Sequence, residues 1–293
     1  MSLFTGNATL TSRETSPRAS LWNRKIKWSK IMEYYAPVSL KDAEKLKKRK
    51  GRNFLFAGGC FLNWRGSPKA DSLIDIKNLG LGGIRVSKTK IVIGASVTVE
   101  ELADNKSLPD VIRKAAKSFE TRNVRNMATV GGVVAGKFFV SHLLPVFAAY
   151  QADIEYYLDG RKRKISLKKW LQKRDGIICS VIIDKPSRKV EMEFEKISAI
   201  DLPLIVSAAG CNTPGRRILE AVFAVSGAEN RLVISSTAEK YLNGKKTREI
   251  SIGELTQAAL SDIKPSGNFK ASARVKKRII ESHIKKMFGA LLK

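Results

Sequence analysis

The chain is predicted to be an α+β protein of two domains, and three observations carry that expectation. Its 293 residues exceed what one compact core usually holds. Up to about residue 186, short runs of strand length alternate with helical patterns, and glycine turns at Gly58-Gly59 and Gly131-Gly132 punctuate them. Beyond Pro186-Ser187-Arg188 the order changes to strands followed by three terminal helices. The expected division is a basic, disordered extension over 1–31, a first domain over 32–186 and a second over 187–293. Apolar residues make up 43% of the chain, enough for real cores.

Residues 1–30 hold one acid, Glu14, among Ser, Thr, Asn and Arg, with no apolar run of the secretory type. An acid-poor, Arg- and Ser-rich start has some likeness to an organelle transit peptide, but the plainer reading is an extension, with Met32 a candidate start. From there the elements follow in order. Ser39 can cap a helix reaching about Lys50, which places Leu40, Ala43 and Leu46 on one face before Gly51 ends it. Asn53–Phe56 reads as a strand running into Ala57-Gly58-Gly59, and Ser72–Ile76 as another. Ile84–Val86 and Lys90–Ile93 form a hairpin pattern. Thr98 opens a helix with Glu100 and Glu101 in its first turn, and Pro109 opens a second, to about Phe119. A second glycine turn covers Ala128–Gly132, and Ser141–Tyr150 follows as an apolar helix. Asp159-Gly160 joins strands at Asp153–Tyr157 and Lys162–Ile165, and Ile177–Ile183 is a buried strand. In the second domain strands are expected at Val190–Lys196, Leu204–Ala208 and Ala221–Val225. Helices follow at Thr237–Leu242, Ile252–Leu260 and Ser272–Phe288.

Composition excludes several functions. No run approaches the roughly eighteen apolar residues of a membrane span, so a soluble chain without a membrane partner is expected. Cys60, Cys179 and Cys211 are far apart and His142 and His283 are the only histidines. That supply cannot hold an iron–sulfur cluster or a structural zinc, so any metal must come from a partner chain. Few, unpatterned cysteines fit a reducing cytoplasm. The net charge of +27, from 54 Lys and Arg against 27 Asp and Glu, attracts phosphorylated ligands, acidic proteins and nucleic acid alike. The basic residues run the whole length of the chain, and their local clusters at Lys45–Arg52, Arg161–Lys164 and Arg274–Arg278 have no aromatic residues interleaved. This favours an acidic partner or a generally basic proteome over nucleic acid.

The two glycine pairs carry the functional signal. Glycine lets the backbone turn with positive φ and bring its N–H groups to one point, a nest suited to phosphate. Ala57-Gly58-Gly59-Cys60 has this form, and Thr129-Val130-Gly131-Gly132 repeats it some seventy residues later. One such pair alone is more often a plain turn. Neither matches G-x-G-x-x-G or the P-loop, which leaves a diphosphate held between two cradles.

Several segments then occur in one order: Tyr35-x-Pro37-x-Ser39-Leu40, Phe56-Ala57-Gly58-Gly59, Leu73-Ile74-Asp75-Ile76, Ile93-Gly94-Ala95-x-x-Thr98, Arg125-Asn126-Met127-Ala128-Thr129-Val130-Gly131-Gly132 and Leu144-Pro145-Val146-Phe147-Ala148. In this the chain resembles the FAD-binding subunits of molybdenum hydroxylases, the xanthine dehydrogenase and carbon monoxide dehydrogenase flavoproteins. The resemblance runs from about Tyr34 to Asp184 and continues weakly to Arg274. It implies a vanillyl-alcohol-oxidase (PCMH)-type FAD domain in two α/β subdomains, followed by a small α+β C-terminal domain. It also implies an oxidoreductase subunit that receives electrons from an iron–sulfur subunit fed by a molybdenum-cofactor subunit, and passes them to NAD⁺ or another acceptor.

Residue by residue, the resemblance implies that Ala57, Gly58, Gly59, Cys60, Phe61 and Leu62 wrap the FAD pyrophosphate. Thr129, Val130, Gly131, Gly132 and Val133 would form the second cradle. Phe119 falls at a flavin-side position, and Ile178 and Lys196 at pocket positions near the ring. The alternative readings of those three are a core aromatic, a strand residue and a surface lysine. The chain departs from the family pattern at Cys60, usually Thr or Ser, at Val133, often Asn, and at His142, where many relatives place an Asp that contacts FAD hydroxyls. A cradle of main-chain amides survives such changes, while each buried polar group left unpaired costs about 1–3 kcal/mol. No catalytic triad or acid–base pair and no metal site is apparent. Two other readings stand beside the first: a flavin-less scaffold of the same complex, and a basic nucleic-acid binder.

Overall fold

The computed structural model describes residues 32–60, 62, 69–136, 138, 140–172, 175–184 and 188–293. The expected extension over 1–31, Phe61 and the proposed boundary residues Pro186 and Ser187 lie outside the described residues. Three sheets organise the rest.

The first is small and parallel, in the order β1-β3-β2, from β1 (Glu33–Tyr35), β2 (Asn53–Phe56) and β3 (Ser72–Asp75). Helix α1 (Leu40–Lys47) crosses over between β1 and β2, with the Ser39 hydroxyl accepting the Asp42 N–H at 3.1 Å as its cap.

The second sheet is antiparallel, in the order β4-β5-β8-β6-β7. It is built from β4 (Ile84–Val86), β5 (Ile91–Gly94), β6 (Asp153–Leu158), β7 (Arg161–Ser166) and β8 (Ile177–Ile183). Between β5 and β6 run α2 (Val99–Asp104), α3 (Asp110–Lys117), α4 (Arg122–Met127), α5 (Val130–Ala135) and α6 (Leu143–Ala149), and α7 (Leu167–Trp170) follows β7. Central β8 is buried at every position, as its unbroken Ile/Val/Cys/Ser run requires. The β6–β7 hairpin turns at Asp159-Gly160, both with positive φ. Glu44 on α1 accepts the N–H groups of those two residues at 2.6 and 3.2 Å, which ties the small sheet to the large one.

The third sheet, β12-β11-β10-β9, contains β9 (Lys189–Glu195), β10 (Ile205–Asn212), β11 (Leu219–Ser226) and β12 (Val233–Ile234), followed by α8 (Ser236–Leu242), α9 (Ile252–Asp262) and α10 (Ala273–Leu291). Its two central strands are covered on both faces. Side chains alternate across a strand, so Val206 and Ala208 join the core shared with α6, whereas Ile205, Ala209 and Cys211 join the core under α10. Buried Arg188 staples this junction, donating to the carbonyls of Ala149 on α6 at 2.7 Å, Gly210 on β10 at 2.8 Å and Glu220 on β11.

Most expected elements recur within a few residues. Five were not expected: β1, α4, α5, α7 and β12. They run from two to six residues, too short for any hydrophobic period to show. No helix among the described residues is long and apolar enough to cross a membrane.

Candidate functional site

The two glycine bends face one cleft. The first, Ala57–Gly59, leaves the end of β2, and Gly59 adopts φ +72°. The second, Thr129–Gly132, is pinned to the segment after β5. Val130 N–H donates to Val97 O and Gly131 N–H to Ala95 O, both at 2.8 Å. The bends touch at Gly58, where a Cβ would fall inside the Met127 carbonyl oxygen. Only glycine lets the first bend come this close to the end of α4.

The bends differ in what they offer. The N–H groups of Ala57, Gly58 and Gly59 meet no acceptor among the described residues and remain available to a ligand. The second bend is different from the expected cradle of free amides. Thr129 caps α5, its hydroxyl accepting the Gly132 N–H at 3.1 Å and its carbonyl the Val133 N–H at 2.9 Å, so Gly131 and Gly132 lie in the first turn of a helix. With its amides committed, this bend supplies the cleft with a close glycine surface and the Thr129 side chain. The signal was present in the sequence: a Thr three residues before the amide that donates to it, here Gly132, is an N-cap pattern.

The cleft has two ends. On one side of the bends a cavity of about 270 Å³ is lined by Ala57, Gly58, Gly59, Cys60, Leu62, Phe119, Thr129, Gly132 and Val133. On the other side a cavity of about 180 Å³ shares Leu55, Ala57, Gly132 and Ala135 with the first and adds Gly131, Ile76, Trp170 and Ile178. Of the expected site residues, Ile178 therefore lies at the opposite end from Phe119 and Lys196, and the three do not surround one ring. Val130 is buried in the core and lines neither cavity.

The Phe119 end reaches the third sheet. Lys196, following β9, donates from Nζ to Ser118 O at 2.6 Å and to Ala199 O at 3.3 Å. Desolvation holds its ammonium below the ordinary lysine range, against the pull of Glu120. His142 packs behind Phe119, with ring centroids 5.9 Å apart, and against Phe194 at 5.8 Å. It is 2% exposed, its Nε2 has no partner among the described residues, and burial, reinforced by Lys196, pushes its pKa down to about 3. His142 is thus a neutral histidine at physiological pH. Burial likewise raises the Cys60 thiol, which points its sulfur at the carbonyls of Gly58 and Val124.

Sequence reasoning missed Arg125 and Trp170 as parts of the site. Arg125 bonds Glu100 from Nε at 2.5 Å and donates from Nη1 to the carbonyls of Lys117, Phe119 and Glu120, holding the wall that carries Phe119. No group of His, Cys, Asp and Glu among the described residues could hold a metal ion.

Comparison with known proteins agrees with this geometry. Residues 29–184 match the family model of the FAD binding domain in molybdopterin dehydrogenase. Residues 194–291 match that of the CO dehydrogenase flavoprotein C-terminal domain. The chain belongs to this family of FAD-binding oxidoreductase subunits. Among its relatives, the uncharacterized protein YgfM of Escherichia coli K12 is 26% identical over 85% of this chain and 92% of its own. The glyceraldehyde dehydrogenase medium chain of Sulfolobus acidocaldarius is 21% identical over 74% of this chain and 82% of its own. Among solved structures, carbon monoxide dehydrogenase from Hydrogenophaga pseudoflava superposes with a TM-score of 0.80 at 21% identity, covering 88% of this chain and 96% of that one.

Proposed function

We propose that the cleft holds FAD across both glycine bends, and that the chain is the flavin-bearing subunit of a molybdenum hydroxylase. The observation that carries this reading is the set of amides at Ala57–Gly59 without an acceptor among the described residues, which line one cavity with Gly132. Those amides would take the pyrophosphate, with Thr129 opposite them and Cys60 and Leu62 alongside. The fit is good in shape as well as chemistry, because the cavities on either side of the bends are mostly apolar and suit flat rings. The isoalloxazine is assigned to the Phe119 end, beside His142, Lys196 and the third sheet, and the adenine to the Ile178 end. Within this reading the domain division lies after residue 186.

Bound FAD supplies one-electron acceptance and two-electron delivery. The chain itself excludes water from the cleft with Phe119 and Val133 and keeps His142 neutral behind the wall, so no proton is held there. Clusters and molybdenum would come from separate iron–sulfur and molybdenum-cofactor subunits. The likeness in fold to a Cu,Mo-CO dehydrogenase supports that division. The proposed acceptor is NAD⁺, drawn by the basic surface, and the three free thiols suit the cytoplasm.

Purified full-length chain, stripped and titrated with FAD, is expected to quench flavin fluorescence at one equivalent and to retain a visible flavin band after gel filtration. A colourless chain that takes up neither FAD nor ADP would mark it instead as a flavin-less scaffold.

A further inference from the structure

The smaller cavity contains one polar side chain that nothing among the described residues satisfies. Trp170 lines it, is 3% exposed, and its indole Nε1 has no hydrogen-bond partner among the described residues. An indole nitrogen can only donate. A buried donor without an acceptor is costly, which is why such groups are nearly always paired in folded proteins. The cavity's other side chains supply no acceptor, being Leu55, Ala57, Ile76, Ala135 and Ile178. The tryptophan is also held firmly. Ser166 caps the short helix α7 by accepting the Lys169 N–H at 3.3 Å, and the Tyr156 ring packs against the indole with centroids 5.1 Å apart.

We propose that Trp170 is the base-reading residue of the cofactor site: its indole N–H donates to a ring nitrogen of the adenine, in a pocket otherwise apolar. The inference rests on the proposed function and deepens it, because it assigns a polar contact to the end of the cleft remote from Phe119. A purine matches the pocket in three respects. It is flat, so it fits between the glycine surface of Gly131 and Gly132 and the apolar side chains. It carries in-plane nitrogen lone pairs, which a donor-only group requires. And a diphosphate held at Ala57–Gly59 leaves it next to the shared wall of Leu55 and Ala57. An adenine-free flavin such as FMN would gain nothing from Trp170.

Three probes on the full chain separate the possibilities: FAD, ADP and FMN, each by titration. In Trp170→Phe, which keeps the ring against Tyr156, the dissociation constants of FAD and ADP should rise about fivefold, the worth of one buried hydrogen bond. The FMN constant should stay unchanged. Equal ADP affinity in the variant and the parent overturns the proposal, as does an equal loss for FMN, which would mean general damage. Should the variant fail to fold, the parent labelled with ¹⁵N-tryptophan gives the answer. One of its four indole N–H resonances, not assignable to Trp22, Trp28 or Trp64 by their own replacement with Phe, should move downfield on ADP addition. If no such resonance moves while ADP binds, the contact does not exist. A parent that binds none of the three probes instead overturns the FAD assignment itself.

Discussion

Arg125 Nη1 donates to the carbonyl oxygen of Phe119 at 3.2 Å, across the corner between α3 and α4. The same guanidinium group bonds Glu100 at the start of α2, so one side chain fixes both the wall of the cleft and the helix behind it. Glu120, next in the chain, adopts φ +35°, a conformation that a non-glycine residue adopts only when its surroundings impose it.

Arg125→Met should therefore loosen the Phe119 wall without removing any group that touches the cleft. The expected result is faster FAD loss, with about tenfold weaker binding, roughly 1.4 kcal/mol. Fluorescence titration beside a thermal melt would show it, and unchanged affinity would relieve Arg125 of this role.

Glu100 adds a pH signature. Its side-chain hydrogen bond to Arg125 is the main cause that lowers its pKa from 4.5, with further help from Arg122. A carboxylate depressed in the fold contributes stability above its unfolded pKa and loses it as pH falls through the folded value. Denaturation curves of the parent should weaken below about pH 4.5 more steeply than those of Glu100→Gln. Parallel curves would contradict the pairing.

His142 loses stability in the same direction, over a window that opens at higher pH. With a folded pKa of about 3 against 6.5 unfolded, it binds a proton only after unfolding between those values. Its contribution is complete above pH 6.5 and declines toward pH 3, by at most about 1.4 kcal/mol per pH unit. His142→Phe should flatten part of this slope. His283, held to about 4 mainly by burial and bonded to Ser207 at 3.0 Å, contributes a similar slope and stays in the variant as an internal reference.

Gly58→Ala should abolish FAD binding, because the new methyl group meets the Met127 carbonyl and forces the bends apart. Gly132→Ala is the control. Its Cβ would lie 3.0 Å from the Thr129 hydroxyl, which can shift, so weakened binding rather than none is expected. Flavin content after purification distinguishes the pair.

Arg188→Met removes three buried hydrogen bonds to Ala149, Gly210 and Glu220 and leaves their carbonyls to find other donors. A loss of about 3–5 kcal/mol in unfolding free energy is expected from urea titration. A loss below 1 kcal/mol would show that the staple is dispensable.

Much of this was legible beforehand because the elements carry strong local marks. Asp159-Gly160 announced its hairpin, Thr98 and Ser39 their caps, and the Ile177–Ile183 run its central strand. The Ala57–Gly59 bend was readable for the same reason: its donors are backbone, so spacing alone locates them. Thr129–Gly132 was half-read. Two glycines looked like an open turn, whereas pairing with Ala95 and Val97, distant in sequence, spends those amides in the fold. Trp170 and Ile178 escaped assignment to one end of the cleft because position in a ligand pocket depends on sheet order, here β8 beside β6, and no local period encodes it.

Helix α6 has no free side: all seven of its residues are buried, between the antiparallel sheet's domain and β9–β11. Cutting the gene after residue 184 would strip one flank of this greasy rod bare, and the truncated product should precipitate or cling to chaperones. The stretch up to residue 184 therefore relies on β9–β11 to keep this helix from water.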